Sequence, residues 1–364
     1  MPACPRKEIV LEGEVGVYHC WGGCVRRAWL CGLDPLTGRD FGHRRQWIAC
    51  RERLLAGLFA IEVGFHAELA NHLHVVLRTR PDIVETWSDE EVVTRWLRAS
   101  KLTRRLDDVP IEPDQKEIER ELNRPERVAE FRKRLASVSW LMKSLRENIA
   151  VRANAEDQTR GRFWDGRFQC RRLEEEGAIL ICGIYVDLNQ IRAGEALTPE
   201  ESRHTSAYER ILGRRQRGES SDQGCAVPVS ADSGKAHGMP PDGWLCNLAL
   251  DEGPRCDVQA GLRSTTPWRA SDKGLLPISL DQYLELLDWT GRQLREGKRG
   301  TIPQHLAPIL ERLEVREEQW LEAVWQFDRW FCRVVGRAER LAEAATRTGR
   351  RWIGGVRSCG LVFT

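Results

Sequence analysis

Hydrophobic and polar residues recur along the first half of the chain with two periods, one typical of strands and one of helices. The short apolar runs 61–69 and 73–79 are joined at Asn71 and predict a β-hairpin. Residues 15–20 and 24–30 predict a further strand or hairpin, and apolar positions three and four apart over 43–60 predict a helix. The chain is therefore expected to begin as strand, helix, strand, strand.

The pattern continues with a helix, a strand and another helix. Apolar positions at steps of three and four from Leu135 to Ile149 predict a long amphipathic helix, which follows a charged, solvated insertion at about 101–125. Residues 167–173 predict a strand, and three glutamates favour the start of a helix over 174–189. This order predicts an α+β fold, with a ferredoxin-like antiparallel sheet, flanking helices and an added helix after the last strand.

A stretch without apolar period divides the chain. Residues 213–243 are rich in Gly, Ser, Pro and Asp, which is the composition of a flexible linker. Beyond it, 279–296 and 315–345 have helical period and few strand signals. We therefore predict a first domain over 1–212, a linker over 213–243 and a mainly α-helical C-terminal domain over 244–364.

Composition narrows the class of protein. The 364 residues are 41% hydrophobic and 30% charged, and the longest apolar stretch, 178–186, is too short to span a bilayer. No secretory signal is visible, so a cytoplasmic protein without a membrane partner is expected. The 12 cysteines form no C-x-x-C pair and are interpreted as reduced thiols. The net charge of only +2 does not by itself indicate nucleic-acid binding.

Two pairs of residues could carry chemistry. His72 and His74 alternate on the second strand of the predicted hairpin, so both imidazoles face the same way and could hold a metal ion. Tyr185 and Asn189 are four apart on the last helix of the first domain, so a phenol and an amide share one helix face. The alternatives are surface histidines on an edge strand and a core tyrosine whose hydroxyl bonds a nearby carbonyl.

Residues 160–172 hold five arginines, three aromatics and one acid. Guanidinium groups that meet phosphates, beside rings that stack on unpaired bases, suit single-stranded nucleic acid. The alternative is an arginine-rich strand edge whose aromatic side chains belong to the core. Arginines on the first hairpin could extend the same basic face. The predicted DNA-binding residues are Arg26, Arg27, Arg162, Trp164, Arg167, Arg171 and Arg172.

The histidine pair and the Tyr185–Asn189 pair, in this order along the chain, resemble the motifs of a known family. The His-Leu-His at 72–74 resembles the HUH motif of single-tyrosine transposases, and 185–194, YVDLNQIRAG, resembles the tyrosine helix of the REP-associated branch. The resemblance covers 15–212, and the charged insertion and helical C-terminal domain look like those of a longer bacterial subgroup. Gln190 stands where this branch commonly has proline.

The resemblance implies a DNA transposase that acts on single-stranded DNA, usually at hairpins, from a ferredoxin-like palm. His72, His74 and Asn189 would bind a divalent metal ion, Mg²⁺ or Mn²⁺, and Tyr185 would be the nucleophile of a metal-dependent nicking and joining reaction. The intermediate would be a 5′-phosphotyrosine beside a free 3′-hydroxyl, so the enzyme would act as endonuclease and ligase in DNA transposition and recombination. A homodimer is a further expectation.

Two other functions stay open from the sequence. One is a domesticated, non-catalytic protein that binds DNA hairpins through the arginine-rich segment. The other is a histidine-metal hydrolase of small molecules, which needs a further ligand, and Glu68 is the one candidate. The remaining histidine of that strand, His66, is expected to be structural or exposed.

Overall fold

The structure, a computed structural model, describes residues 8–25, 31–34, 37–102, 105–107, 109, 111–219, 239–249, 263–296 and 303–364. Within these ranges five strands form one sheet. They are β1 (Gly16–Gly23), β2 (Ile61–Glu68), β3 (His72–Thr79), β4 (Gln169–Leu173) and β5 (Val334–Val335).

Helices surround the sheet. Those of the N-terminal part are α1 (Arg44–Leu58), α2 (Pro81–Val84), α3 (Asp89–Leu102), α4 (Gln115–Leu122), α5 (Pro125–Leu135), α6 (Val138–Glu156), α7 (Glu176–Asp187), α8 (Asn189–Arg192) and α9 (Ser206–Glu219). Those of the C-terminal part are α10 (Leu280–Glu296), α11 (Ala307–Arg312), α12 (Glu317–Trp325), α13 (Phe327–Trp330), α14 (Ala338–Arg347) and α15 (Val356–Val362). No described helix combines the length and apolar character needed to cross a membrane.

The predicted α+β fold with an antiparallel sheet is confirmed. The strand order is β2-β3-β1-β4-β5, and each pair among the first four is antiparallel. Strand β1 lies beside β3 because α1 crosses over between β1 and β2, and α6 makes the equivalent crossover between β3 and β4. This is the ferredoxin-like arrangement, to which β5 adds a short parallel edge strand.

Each face of the sheet packs against a different hydrophobic cluster, because strand side chains alternate. On one face, residues such as Tyr18, Val75 and Leu77 pack with α1, α3, α5 and α6. On the other, Phe65 and Val76 pack with the apolar α7 and with the C-terminal helices. Almost every residue of α7 is buried, which explains why its run 178–186 is apolar on all sides.

The C-terminal region is mainly helical, as predicted, but it differs in detail. Its residues share the hydrophobic cluster of α7 and supply β5, so the region is packed onto the sheet. The expected helix over 315–345 is interrupted at Gln326 and by the extended backbone at Phe331 that leads into β5.

The boundaries of the linker and the insertion also need correction. Helix α9 runs to Glu219, so the first seven residues of the predicted linker over 213–243 are helical, and 220–238 lie outside the described residues. The charged insertion at 101–125 contains α4, which has a capping box at Asp114 and buries Ile118. The charged residues of the insertion therefore include the solvent-facing side of the amphipathic helix α4. The nine cysteines within the described ranges are free thiols, as expected.

Candidate active site

The histidine pair lies on the face of the sheet that α7 covers. On β3, His74 is opposite Trp21 of β1 and Ala67 of β2, in the centre of the antiparallel sheet. His72 is two residues earlier on the same face, and the two imidazole centroids are 4.9 Å apart. The alternation expected from the sequence therefore places both rings on one side.

A third histidine, His19 on β1, holds His74 in place. Its Nε2 lies 2.9 Å from Nδ1 of His74, and the two rings stack. Nε2 of His74 is buried and makes no hydrogen bond within the described residues, so it presents a lone pair when Nδ1 carries the proton. Burial, reinforced by His19 and His72, holds the pKa of His74 well below its usual value. The ring is thus neutral, which is the form that binds metal.

The second imidazole is oriented by its neighbour in the chain. Nδ1 of His72 lies 2.5 Å from Oδ1 of Asn71, and because an amide oxygen accepts, Nδ1 must be the donor. This leaves Nε2 of His72 as the nitrogen with a lone pair. Burial also lowers the pKa of His72.

Helix α7 brings Tyr185 onto the histidines. The Tyr185 ring meets the His74 ring edge-on with centroids 5.6 Å apart, and stacks on Phe327 of α13 at 4.9 Å. Gly183 allows this close approach, since a Cβ at that position would lie 2.6 Å from the Phe65 ring of β2. Tyr185 is only 2% exposed.

The end of α7 positions Asn189. The helix ends at Asp187, and Asn189 begins the short α8 without a break in helical direction, so its buried amide lies beside the Tyr185 hydroxyl. Gln190, which replaces the expected proline, donates from Nε2 to the carbonyl oxygens of Glu68 and Arg203, at 2.9 and 2.6 Å. Those two bonds tie α8 to the end of β2.

No sequence pattern indicates the acid that accepts a hydrogen bond from the tyrosine. The Tyr185 hydroxyl donates a hydrogen bond to Oδ2 of Asp328, which lies on α13 in the C-terminal region. Arg171 of β4 donates to Oδ1 of the same carboxylate at 2.7 Å and to the Asp328 carbonyl at 3.1 Å. These residues form a Tyr–Asp–Arg chain beside the histidine pair.

The pKa shifts assign a protonation state to Tyr185 and to Asp328. Burial raises the pKa of Tyr185 above its usual value, and the Asp328 carboxylate raises it further. Burial opposes charge on Asp328, but the hydrogen bond from Tyr185 and the Arg171 guanidinium outweigh it and lower the pKa of Asp328. The stable arrangement at neutral pH is a phenol that donates to a carboxylate.

The predicted DNA-binding residues fall into four groups, of which three are described first. Arg162 and Arg167 are exposed on the loop before β4, and Arg26 and Arg27 lie outside the described residues. Arg171 is buried against Asp328, so its guanidinium serves the tyrosine site.

Trp164 and Arg172 are corrections to the sequence interpretation. The Trp164 ring is buried and its Nε1 donates to the carbonyl oxygen of Arg146 at 2.8 Å, so it is not available to stack on a base. Arg172 alternates to the opposite face, where it pairs with Glu174 at 3.2 Å. These two residues fit the alternative interpretation, in which the arginines lie on a strand edge and the aromatic side chains belong to the core.

Glu68 is not a ligand for the histidine pair. In the β2–β3 register Ala67 is opposite His74, so Glu68 and His66 point to the other face of the sheet. Both side chains are fully buried there, so of the two alternatives expected for His66 the burial excludes the exposed one and fits the structural one.

Taken together, the fold and site define a ferredoxin-like α+β protein with a tyrosine, an acid and a histidine pair on one face of its sheet. Of the three residues predicted to bind a metal ion, His74 offers a buried, neutral Nε2 without a hydrogen-bond partner among the described side chains, which is the state of a ligating imidazole. Imidazole is a softer ligand than Mg²⁺ prefers.

No protein-family model matches the chain, and no curated protein matches it. One solved structure that is similar is described as "Structure of the REP associates tyrosine transposase bound to a REP hairpin". The identity is 11% and the TM-score 0.34, over 65% of this chain and 98% of that one.

Proposed function

We propose that this protein is a transposase-like enzyme that nicks and rejoins single-stranded DNA with Tyr185 as its nucleophile. The observation that carries the proposal is the convergence of four side chains from three elements, β3, α7 and α8. The rings of His74 and Tyr185 are 5.6 Å apart, His72 lies beside His74, and the Asn189 amide lies beside the Tyr185 hydroxyl. All four belong to one chain, which supports cleavage within a single copy.

Asp328 gives the tyrosine a route for its proton. A phenol is a weak nucleophile while it keeps its proton, and its raised pKa means that Tyr185 keeps it at neutral pH. Asp328 already accepts the hydroxyl hydrogen bond, and Arg171 fixes the carboxylate from the other side. In the proposed step Asp328 takes the proton as Tyr185 Oη bonds to phosphorus.

The bond that breaks joins phosphorus to the 3′ oxygen of the preceding nucleotide. That oxygen takes up a proton and leaves as a hydroxyl, while the 5′ phosphate stays on Tyr185. One phosphodiester is thus exchanged for a phosphotyrosine ester, and the reverse step rejoins the strand without ATP. The reaction is a transfer and consumes no water.

His72, His74 and Asn189 are the residues that would hold a divalent ion, Mn²⁺ or Mg²⁺. When bound, such an ion would polarise the scissile phosphate and stabilise charge that develops on its oxygens. The Nδ1 atoms of the two imidazoles are engaged at Asn71 and His19, which leaves each Nε2 as the nitrogen that would bind such an ion.

DNA contacts are expected from the exposed arginines near the site. Arg162 and Arg167 lie on the loop that leads into β4, and β4 also carries Arg171 at the tyrosine. Their guanidinium groups suit contact with phosphates, which would lead a strand toward Tyr185.

The test is formation of a covalent adduct. The full chain is incubated with end-labelled single-stranded DNA from its genomic flanks, with Mn²⁺ or with EDTA, and the products are separated under denaturing conditions. We expect a labelled protein band with Mn²⁺, none with EDTA, and none for Tyr185→Phe, which lacks the nucleophilic oxygen. Tyr208→Phe on α9 is the matched control and should retain the adduct.

A labelled band that persists in Tyr185→Phe would overturn the proposal. The second candidate function, hairpin binding without catalysis, predicts a different pattern. It gives DNA binding by the wild-type protein that is unaffected by EDTA, and no adduct under any condition. The exposed Arg162 and Arg167 favour binding in either case.

A further inference from the structure

A second group of ligating side chains lies on the opposite face of the sheet from Tyr185. It consists of Glu52 on α1 and of His66 and Glu68, which share one face of β2. His66 and Glu68 are completely buried and Glu52 is 3% exposed. Because Ala67 lies between them and points to His74, the two groups are separated by the sheet itself.

The charge balance of this group is unusual for a protein interior. Two carboxylates are buried together, and among the described side chains the ion-pair partner that they share is His66. A third acid, Glu209 on α9, pairs with Arg53 at 2.6 Å, accepts from Trp244 Nε1 at 2.6 Å and lies 3.8 Å from Nε2 of His66. Buried ionised carboxylates cost several kcal/mol each unless a nearby positive charge compensates them.

Three carboxylate oxygens of the group lack a hydrogen-bond partner. Both carboxylate oxygens of Glu52 and Oε2 of Glu68 are buried and make no hydrogen bond within the described residues, whereas Nε2 of His66 faces Oε2 of Glu209 at 3.8 Å. Buried polar atoms are almost always satisfied in folded proteins, so three such oxygens beside one imidazole favour a ligand at this position. The chemistry of two carboxylates and an imidazole fits a cation.

The distances fit a metal ion rather than a larger ligand. His66 Nδ1 is 3.0 Å from Oε1 of Glu68 and 3.7 Å from Oε2 of Glu52. Bonds of about 2.0–2.2 Å to nitrogen and oxygen place tetrahedral ligands roughly 3.3–3.5 Å apart. The observed spacings lie on either side of that value, so small side-chain movements would seat an ion between the three atoms.

We propose that Glu52, His66 and Glu68 bind a second divalent transition-metal ion, with Zn²⁺ preferred over Mg²⁺, that joins α1 to β2. One imidazole and two carboxylates suit Zn²⁺, whereas Mg²⁺ prefers oxygen ligands and retains several waters. The ion balances the charge of both carboxylates, and the proton on Nδ1 of His66 and the proton held between Glu52 and Glu68 leave to solvent when it binds. Its role is structural, because all three side chains are buried.

The test separates this site from the histidine pair. The full chain carrying His72→Ala and His74→Ala is stripped with a chelator, incubated with Zn²⁺, desalted and analysed by elemental mass spectrometry. We expect about one Zn²⁺ per chain, and a rise in Tm of at least about 3 °C at a Zn²⁺ concentration 100-fold above Kd. Adding Glu52→Gln and Glu68→Gln should remove both effects.

Glu62→Gln is the matched control, since Glu62 is a buried glutamate of the same strand that pairs with Arg78 at 2.6 Å. It should lower Tm while retaining one bound Zn²⁺. X-ray absorption at the zinc edge of the His72→Ala and His74→Ala protein keeps the proposal testable if the glutamine variants fail to fold. One imidazole with oxygen ligands supports the proposal. No bound zinc, or two or more imidazoles, overturns it, in which case the two glutamates share a proton. None of these readouts depends on DNA cleavage.

Discussion

A single carboxylate, that of Asp328, holds the hydroxyl of Tyr185. The phenol donates to Asp328, and Asp328 is held by Arg171, so the hydroxyl is aimed by residues that lie far from it in the sequence. The Asp328 side chain is half exposed even though the tyrosine is buried. Under the proposed function, this half-exposed carboxylate would either assist or obstruct the attack of Tyr185 on a phosphate.

We expect Asp328→Asn to slow formation of the Tyr185–DNA adduct by about 10²- to 10⁴-fold, the range typical of a lost general base. Asparagine keeps the size of the side chain but cannot accept the phenol proton. The measurement is the single-turnover rate of adduct formation at saturating DNA. Asp288→Asn on α10, which removes an exposed aspartate paired with Arg292, should leave the rate unchanged.

A faster reaction in Asp328→Asn would contradict the role of Asp328 as a general base. It would mean that the bond to Asp328 restrains the tyrosine and that DNA must break it before attack. Thermal unfolding of the variant separates either result from misfolding, since loss of one partly exposed hydrogen bond costs only about 1 kcal/mol.

The sequence could indicate four of the site residues because each pair is local. His72 and His74 share a strand face, and Tyr185 and Asn189 share a helix face, so spacing alone brings each pair together. His19 and Asp328 could not be found this way. His19 meets His74 only through the pairing of β1 with β3, and Asp328 reaches Tyr185 across 143 residues of chain.

At the level of elements, the approach of α7 to the sheet sets the distance between the tyrosine and the histidines. Gly183, two residues before Tyr185, lies where α7 contacts β2. It leaves no room for a methyl group against the ring of Phe65. The close packing of this pair thus keeps Tyr185 over β1 and β3. A larger residue at position 183 must lift the helix or displace Phe65.

We expect Gly183→Ala to lower the free energy of unfolding by about 1–3 kcal/mol and to reduce adduct formation by more than the loss of folded protein explains. The measurements are urea unfolding at pH 7 and the single-turnover rate. Gly218→Ala on α9 is the matched control, because a Cβ there meets nothing within 4 Å. That change should stabilise the protein by about 0.5–1 kcal/mol, since alanine is the better helix former. Equal effects of the two alanines would show that α7 is not fixed by this contact.

Element types were predictable where the pattern is strong, and their ends were not. Alternation gave the β2–β3 hairpin within a residue or two, and the apolar period of α6 was evident. The prediction of a helix over 315–345 is wrong, because the apolar residues of this range belong to three short helices and a strand that all pack into one core. Helical periodicity alone does not predict where the chain reverses direction.

At the level of the whole molecule, the sheet separates two groups of polar side chains. One face carries Tyr185, the histidine pair and the C-terminal helices, and the other carries α1, α6 and the Glu52, His66 and Glu68 group. Strands β2 and β3 contribute to both. The C-terminal region is required for the first face, because it supplies Asp328, the Phe327 ring that stacks on Tyr185, and β5.

We expect the full chain to unfold in one thermal transition, because the C-terminal helices and α7 form a continuous core and the sheet links that core to the other face. The measurement is calorimetry, with a ratio of calorimetric to van't Hoff enthalpy near one. Val324→Ala on α12 and Val128→Ala on α5 each create a cavity in a different cluster, at a cost of about 1–3 kcal/mol. Both variants should move the same single peak to lower temperature. If the wild-type protein shows two peaks and each variant moves only one of them, the sheet and the helical region are independent folding units, and Asp328 then reaches Tyr185 through a docked domain that can leave.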